Sequence, residues 1–234
     1  MPVYQLNNEI VFPPPHLAEE EGLLAVGGDL SIDRLLLAYS MGIFPWYDEG
    51  DPILWWSPAP RMIIRPEEFA PSKSLQRSLK KGLFHFSMDT AFEEVIHRCA
   101  KIPRTGQENT WITTDMIDAY IALHHAGYAH SVETWVGDKL VGGLYGLSLG
   151  SCFFGESMFS LQTDASKAAF SILARTLASW DFTLIDCQLH NPHLESLGAY
   201  TVPREVFTAQ LNAGLHATTR MGPWTAMFQH TVAE

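Results

Sequence analysis

The sequence is poor in the features that would assign it to a specialised class. Its N-terminus lacks the basic-then-apolar layout of a signal peptide, and no apolar run reaches membrane-spanning length. A cytoplasmic protein without a membrane partner is expected. Cysteine is scarce: Cys99, Cys152 and Cys187 form no CxxC pair, and their odd number argues against a disulfide framework. They read as reduced core residues. The ten histidines show no HExxH or other metal-ligand spacing. His124 and His125 are adjacent, so on a helix they point about 100° apart and do not readily share a metal. No metal is expected. Basic residues are few as well, 15 Lys and Arg against 26 Asp and Glu, for a net charge of −11. At first sight that balance opposes a nucleic-acid partner, because phosphate binding needs cations.

What is present describes a globular chain. With 234 residues, 47% hydrophobic and 12% aromatic, it can bury a substantial core as one large domain or a small one fused to a medium one. The charge is unevenly spread. Residues 1–60 hold one basic residue, Arg34, against nine acidic ones, whereas residues 61–104 hold nine basic and five acidic. That shift places a domain boundary after residue 62, giving domains 1–62 and 63–234. The basic segment offers Arg61, Arg65, Lys73, Arg77, Lys80 and Lys81 as phosphate contacts. The last four recur at helical spacing in SKSLQRSLKKG, residues 72–82, and share one face. That face is either a solvated surface or a backbone-phosphate contact.

Periodicity predicts further elements. A short helix is expected in IDRLLLAYSMG, ending at Gly42, and a buried strand in ILWWS at 53–57. A helix over 114–127 is capped by Thr113 or Thr114 and stopped by Gly127. A meander of HSVETWV, KLVGGLYGLSLG and SCFFGESMF follows, with a turn at Gly137-Asp138. An amphipathic helix then presents Phe170, Leu173, Leu177 and Trp180. TLIDCQ is a short strand, and NPHLESLGA and REVFTAQLNAG are helices. Strands interleaved with helices indicate a mixed α/β or α+β fold.

Three places stand out chemically. Glu156 lies among Phe153, Phe154, Met158 and Phe159, and a buried carboxylate must find a partner or neutralise. Strict alternation puts Phe154 and Met158 on its face, unless Gly155 shifts the register through a bulge. A greasy pocket with one carboxylate suits an amino acid. Asp186 and Gln188, at i and i+2 in LIDCQ, project from one strand face; they are either solvated strand-end residues or a functional pair. Trp46 and Trp111 lie in or beside loops, where a tryptophan either folds onto the core or stacks on a nucleobase. Trp55, Trp56, Trp135 and Trp180 read as core.

These residues sit in strings that resemble one family. GGDLS at 27–31, GIFPWY at 42–47, DPILWWSPAPR at 51–61, TWIT at 110–113, GYAHS at 127–131, LVGGLYG at 140–146, GESMFS at 155–160 and LIDCQ at 184–188 are together similar to the leucyl/phenylalanyl-tRNA–protein transferases. The resemblance implies an α+β fold, with a small N-terminal α/β domain before a GNAT-like acyltransferase domain whose mixed central sheet is flanked by helices. It implies transfer of leucine, phenylalanine or, less readily, methionine from aminoacyl-tRNA to proteins with N-terminal Lys or Arg, marking them for N-end rule degradation. By the same resemblance Trp46 and Trp111 flank the terminal adenosine, and Glu156 holds the donor's amino group. Asp186 and Gln188 form the catalytic pair, with Leu144, Phe153, Met158, Phe170 and Ile185 lining the amino-acid pocket. Leu144 stands where the family often has Met, which retunes the pocket but leaves it apolar. No cofactor is implied. The entry SLQTDASKAA also contains no glycine with which to cradle a coenzyme A pyrophosphate. A non-catalytic module binding tRNA or apolar N-termini is the rival from another class; it leaves Asp186 and Gln188 without a task. Nothing in the sequence marks an association surface, so a monomer is expected.

Overall fold

Turn residues break the first sixty residues into short pieces, and the computed structural model, which describes residues 3–102 and 111–228, assembles them into a small sheet. Strands β1 (Tyr4–Leu6) and β2 (Leu23–Gly27) are parallel; helix α1 (Ile32–Ser40) leads to β3 (Phe44–Pro45) and β4 (Leu54–Trp56), giving the order β1-β2-β4-β3. Leu35, Ala38 and Tyr39 of α1 are buried along one stripe, as helical spacing requires. The helix stops at Gly42, whose positive φ suits glycine, and a Cβ there would meet the Phe207 ring at 2.6 Å. Arg34, the lone cation of this region, is fully buried. It donates to the carbonyls of Asn7 and Glu9 and to Asp29, tying the β1 loop to α1.

The remaining chain builds β5 (Arg61–Ile64), α2 (Lys73–Lys80), β6 (His85–Met88), α3 (Phe92–Lys101), α4 (Thr114–His125), β7 (Ala129–Val136), β8 (Lys139–Leu149), β9 (Cys152–Ser160), α5 (Ala165–Ser179), β10 (Leu184–Gln188), α6 (Pro192–Glu195), β11 (Tyr200–Val202) and α7 (Arg204–Leu215). The sheet order is β11-β5-β10-β9-β8-β7-β6, antiparallel throughout except for the β9–β10 pair. The architecture is α+β. The boundary expected after residue 62 falls inside β5, all of which pairs within this larger sheet.

Caps explain the helix limits. Ser72 Oγ accepts the Leu75 N–H at the start of α2, and Thr113 Oγ1 accepts that of Met116 at the start of α4. Gly82 and Gly127 follow these helices with positive φ. The meander lies where alternation and the Gly137 turn place it. Seven elements are not anticipated above: β1, β2, β3, β5, β6, α3 and β11; of these α3 does carry helical spacing, with Phe92, Val95, Ile96 and Cys99 on one buried face.

The large sheet separates two cores. One, beneath α3, α4, α7 and the small sheet, contains Tyr39, Trp55, Tyr120, Tyr145 and Phe154. The other, beneath α5 and α2, contains Leu144, Phe153, Phe170, Leu173, Ile185 and Trp224. Each fully buried large apolar side chain contributes about 1.5–3 kcal/mol.

Candidate active site

The parallel pair β9–β10 is the weak seam of the sheet. Its last paired rung joins Phe154 to Asp186; beyond it β9 pairs only with β8, and β10 ends at Gln188. The strands part, and a cavity of about 500 Å³ opens beside the gap. Both cores reach it.

Glu156 sits at a bulge. Tyr145 pairs with Ser157 and Gly146 with Gly155, so Glu156 has no partner residue across the β8–β9 ladder. The extra residue corrects the face expected from strict alternation. Phe154 lies in the first core, whereas Phe153 and Met158 are on the second-core side, and Met158 lines the cavity with Leu144. The Glu156 carboxylate, buried but in the cavity lining, accepts from Tyr39 Oη at 2.7 Å, Tyr120 Oη at 3.1 Å and Gln188 Nε2 at 2.9 Å. The Tyr39 and Tyr120 hydroxyls also lie within hydrogen-bonding reach of one another, and with one proton each they make two of these three contacts at a time while Glu156 is ionised. Burial pushes the Glu156 pKa up to about 7, against the lowering effect of these donors. Burial likewise raises both tyrosines well above their ordinary range. A carboxylate offers roughly four acceptor directions, so three donors leave room for one more cation or donor from the cavity. Sequence reasoning missed Tyr39 and Tyr120, because a tyrosine at a core-facing helical position looks like packing until its hydroxyl partner is known.

Gln188 lies at the end of β10 with φ +63°, a left-handed conformation that non-glycine residues seldom adopt. Asp186 holds it there, Oδ1 accepting the Gln188 N–H at 2.9 Å. Asp186 is fully buried, does not line the cavity, and receives a two-pronged contact from Arg61: Nε to Oδ1 at 2.8 Å and Nη2 to Oδ2 at 2.7 Å. The Arg61 guanidinium lies between the rings of Phe44 and Phe207, 4.8 and 4.7 Å away. Two expectations change. The strand shifts register between Asp186 and Gln188, so the two side chains part company: one anchors backbone, the other reaches the cavity. Arg61, expected to meet tRNA, is 1% exposed and committed to Asp186.

The other expected site residues converge. Trp46, Trp111, Leu144, Phe153, Met158, Phe170 and Ile185 all line the cavity, with Trp46 and Trp111 half-buried. Trp46 is fixed from behind, its carbonyl accepting Trp56 Nε1–H at 2.7 Å. Thr110, which opens the TWIT string, lies outside the described residues. Cys187 also lines the cavity, while Cys99 and Cys152 are buried; none of the three forms a disulfide. Lys73, Arg77, Lys80 and Lys81 are exposed on or just after α2, which packs against α5. Arg65 is half exposed, but Glu67 and Glu68 offset its charge at 2.5 and 3.7 Å. The α5 entry carries Asp164, whose carboxylate accepts Ser78 Oγ–H at 2.7 Å.

Comparison with known proteins covers both parts of the chain. Residues 63–212 match the family model described as leucyl/phenylalanyl-tRNA protein transferase, and residues 28–59 match that of its N-terminal domain. Proteins named leucyl/phenylalanyl-tRNA–protein transferase are similar over nearly their full length. One from Anaeromyxobacter sp. (strain Fw109-5) is 54% identical, covering 96% of this chain and 95% of its own. One from Syntrophus aciditrophicus (strain SB) is 55% identical, over 96% and 94%. One from Desulfatibacillum aliphaticivorans is 52% identical, over the whole of both chains.

Proposed function

The chain belongs to the leucyl/phenylalanyl-tRNA–protein transferase family, and from that premise we propose that it moves leucine or phenylalanine, and less readily methionine, from aminoacyl-tRNA to the N-terminal amine of a protein. On this reading the acceptors begin with Lys or Arg, and the product enters N-end rule degradation. The larger domain acts as a GNAT-like acyltransferase without coenzyme A or metal, in a cytoplasmic monomer. The observation that carries the reading is a cavity with an apolar wall and, among the described residues, a single carboxylate, Glu156, in its lining. Such a cavity matches an apolar side chain and an ammonium group held a few ångströms apart.

The aminoacyl ester is already activated, so the protein's task is orientation and proton management. The donor side chain lies among Leu144, Phe153, Met158, Phe170 and Ile185, its ammonium on the remaining acceptor direction of Glu156. Trp46 and Trp111 stack on the terminal adenosine. Gln188 spends its amide N–H on Glu156, which aims its carbonyl oxygen elsewhere. That oxygen accepts a hydrogen bond from the incoming amine and orients its lone pair at the ester carbonyl. The amine nitrogen bonds to the carbonyl carbon, and as the carbon–oxygen ester bond breaks the ribose oxygen leaves as a hydroxyl, taking up the proton that the amine gives up. Asp186 acts through backbone: it fixes Gln188, and Arg61 fixes Asp186. The cations of α2 bind tRNA phosphates.

Purified protein, leucine-charged tRNA and a peptide beginning with Arg, incubated without cofactor, test the proposal by mass spectrometry. One added leucine, absent for a peptide beginning with Asp, is the expected result. Complex formation without a product would instead describe a binding module.

A further inference from the structure

Behind the pocket wall lies a residue outside the matched span 63–212, Trp224. It starts a short 3-10 turn, Trp224–Ala226, and is fully buried. Its indole faces Phe153, ring centroids 6.0 Å apart at 41°, and Phe153 lines the cavity while Trp224 does not. One edge of the Phe153 ring rests on β8. A Cβ on Gly146 would fall 2.6 Å from two Phe153 ring atoms, so backbone blocks that direction. Phe153 is thus held between β8 backbone and the Trp224 indole where it faces the cavity.

Trp224 is itself held tightly. His130 stacks on it at 3.7 Å and 7°, while Trp180 and Phe182 meet it edge-on at 5.1 and 6.1 Å. Asp89 binds both partners of the stack: Oδ2 contacts His130 Nδ1 at 2.8 Å and accepts the Trp224 N–H at 2.7 Å. The indole N–H donates to the Arg220 carbonyl at 3.1 Å, and Thr225 Oγ1 donates to the Met88 carbonyl at 2.7 Å. Rigid support of this kind fixes how far a wall can yield, because packed interiors transmit volume changes directly.

We propose that Trp224 is a specificity-determining residue which, by backing Phe153, sets the depth of the amino-acid pocket and so the choice between leucine and larger donors. The proposal rests on the pocket reading above. Replacing the indole with a smaller group frees volume behind Phe153, the ring recedes, and the cavity gains depth where the donor side chain ends.

The test sets leucine- and phenylalanine-charged tRNA against one another in a single reaction, with an Arg-initial peptide and the full-length protein. The product ratio gives the ratio of kcat/KM values. Both donors compete for the same active molecules, so a partly folded variant still reports it. Trp224→Phe and Trp224→Met are expected to raise the phenylalanine-to-leucine ratio roughly threefold to tenfold, in the range that small changes of apolar pocket volume produce. Phe153→Ala, which removes the wall, should raise it at least as far. Trp135→Phe, a half-buried ring stacked on His85 away from this site, should leave it within about twofold. An unchanged ratio in both Trp224 variants, with Phe153→Ala shifted, overturns the proposal and keeps the pocket reading. An unchanged ratio in Phe153→Ala removes the pocket reading and this proposal with it.

Discussion

On the α5 side of the large sheet, the cavity is walled by Leu144, Phe153, Phe170 and Ile185, all in one apolar cluster. On the opposite side lie Arg61, Asp186, Glu156, Tyr39 and Tyr120, linked by hydrogen bonds that cross from the small sheet's helix α1 to the larger sheet. Gln188 reaches across the gap between β9 and β10, where the two chemistries meet. On the proposed function, one side selects the donor and the other orients it. The contrast also gives the N-terminal region a task beyond scaffolding, since Tyr39 donates directly to the cavity's carboxylate. Low-dielectric burial strengthens such a network and makes each missing partner costly.

Breaking the polar side should have the largest effect. Arg61→Met leaves the Asp186 carboxylate buried without its cation, which typically costs about 3–5 kcal/mol. Chemical denaturation should show a loss of that order, and transfer activity should fall with it because Gln188 loses its anchor. A variant that unfolds at the same denaturant midpoint as the parent would mean that the pair holds nothing in place.

Glu156→Gln should separate function from stability. Removing one charge of a buried ion pair costs about 2–5 kcal/mol in binding, so transfer should drop by roughly 100-fold. Stability runs the other way. The folded carboxylate titrates near 7, above its ordinary 4.5, so the fold favours the protonated form. Its stabilising contribution is complete below pH 4.5 and is lost as pH rises through about 7. The parent therefore forfeits on the order of 3 kcal/mol by pH 8, while the glutamine variant forfeits none. Melting curves at pH 8 should find Glu156→Gln at least as stable as the parent. In kcat/KM, the parent should lose activity as pH falls below about 7 and the carboxylate takes up a proton; the variant should lack that limb.

The surface should respond most weakly. Replacing Lys73, Arg77, Lys80 and Lys81 with alanine should weaken tRNA binding uniformly across donors and flatten its dependence on salt, by about one unit of log–log slope for each phosphate no longer neutralised. Filter binding over a salt series reads this directly. An unchanged slope would place the tRNA on another surface.

Much of this arrangement was legible in the chain. Helices α2 and α4 begin at Ser72 and Thr113 because those side chains cap them, and the meander follows alternation and a glycine turn. Glu156 among aromatics announced a buried carboxylate, and apolar residues close to it in sequence belong to its pocket. Geometry that depends on distant partners was hidden. Nothing local says that Arg61 is 1% exposed, since that follows from Asp186, 125 positions away. The bulge at Glu156 leaves Phe154 on its face but moves Met158 to the other, and alternation alone cannot locate an inserted residue. Strands β1, β3 and β11 are two or three residues long, too short to carry a period. Tyr39 and Tyr120 gain their roles only when α1 and α4 meet over β9.

The most direct measurement pairs a change in the protein with one in the donor. Transfer from leucyl-tRNA and from N-acetyl-leucyl-tRNA, whose nitrogen carries no positive charge, would be compared in the parent and in Glu156→Gln. If the carboxylate holds the donor ammonium, each change alone lowers kcat/KM by roughly 100-fold and the two together cost little more. Losses that multiply would contradict the account, because they would show that Glu156 and the amino group act independently.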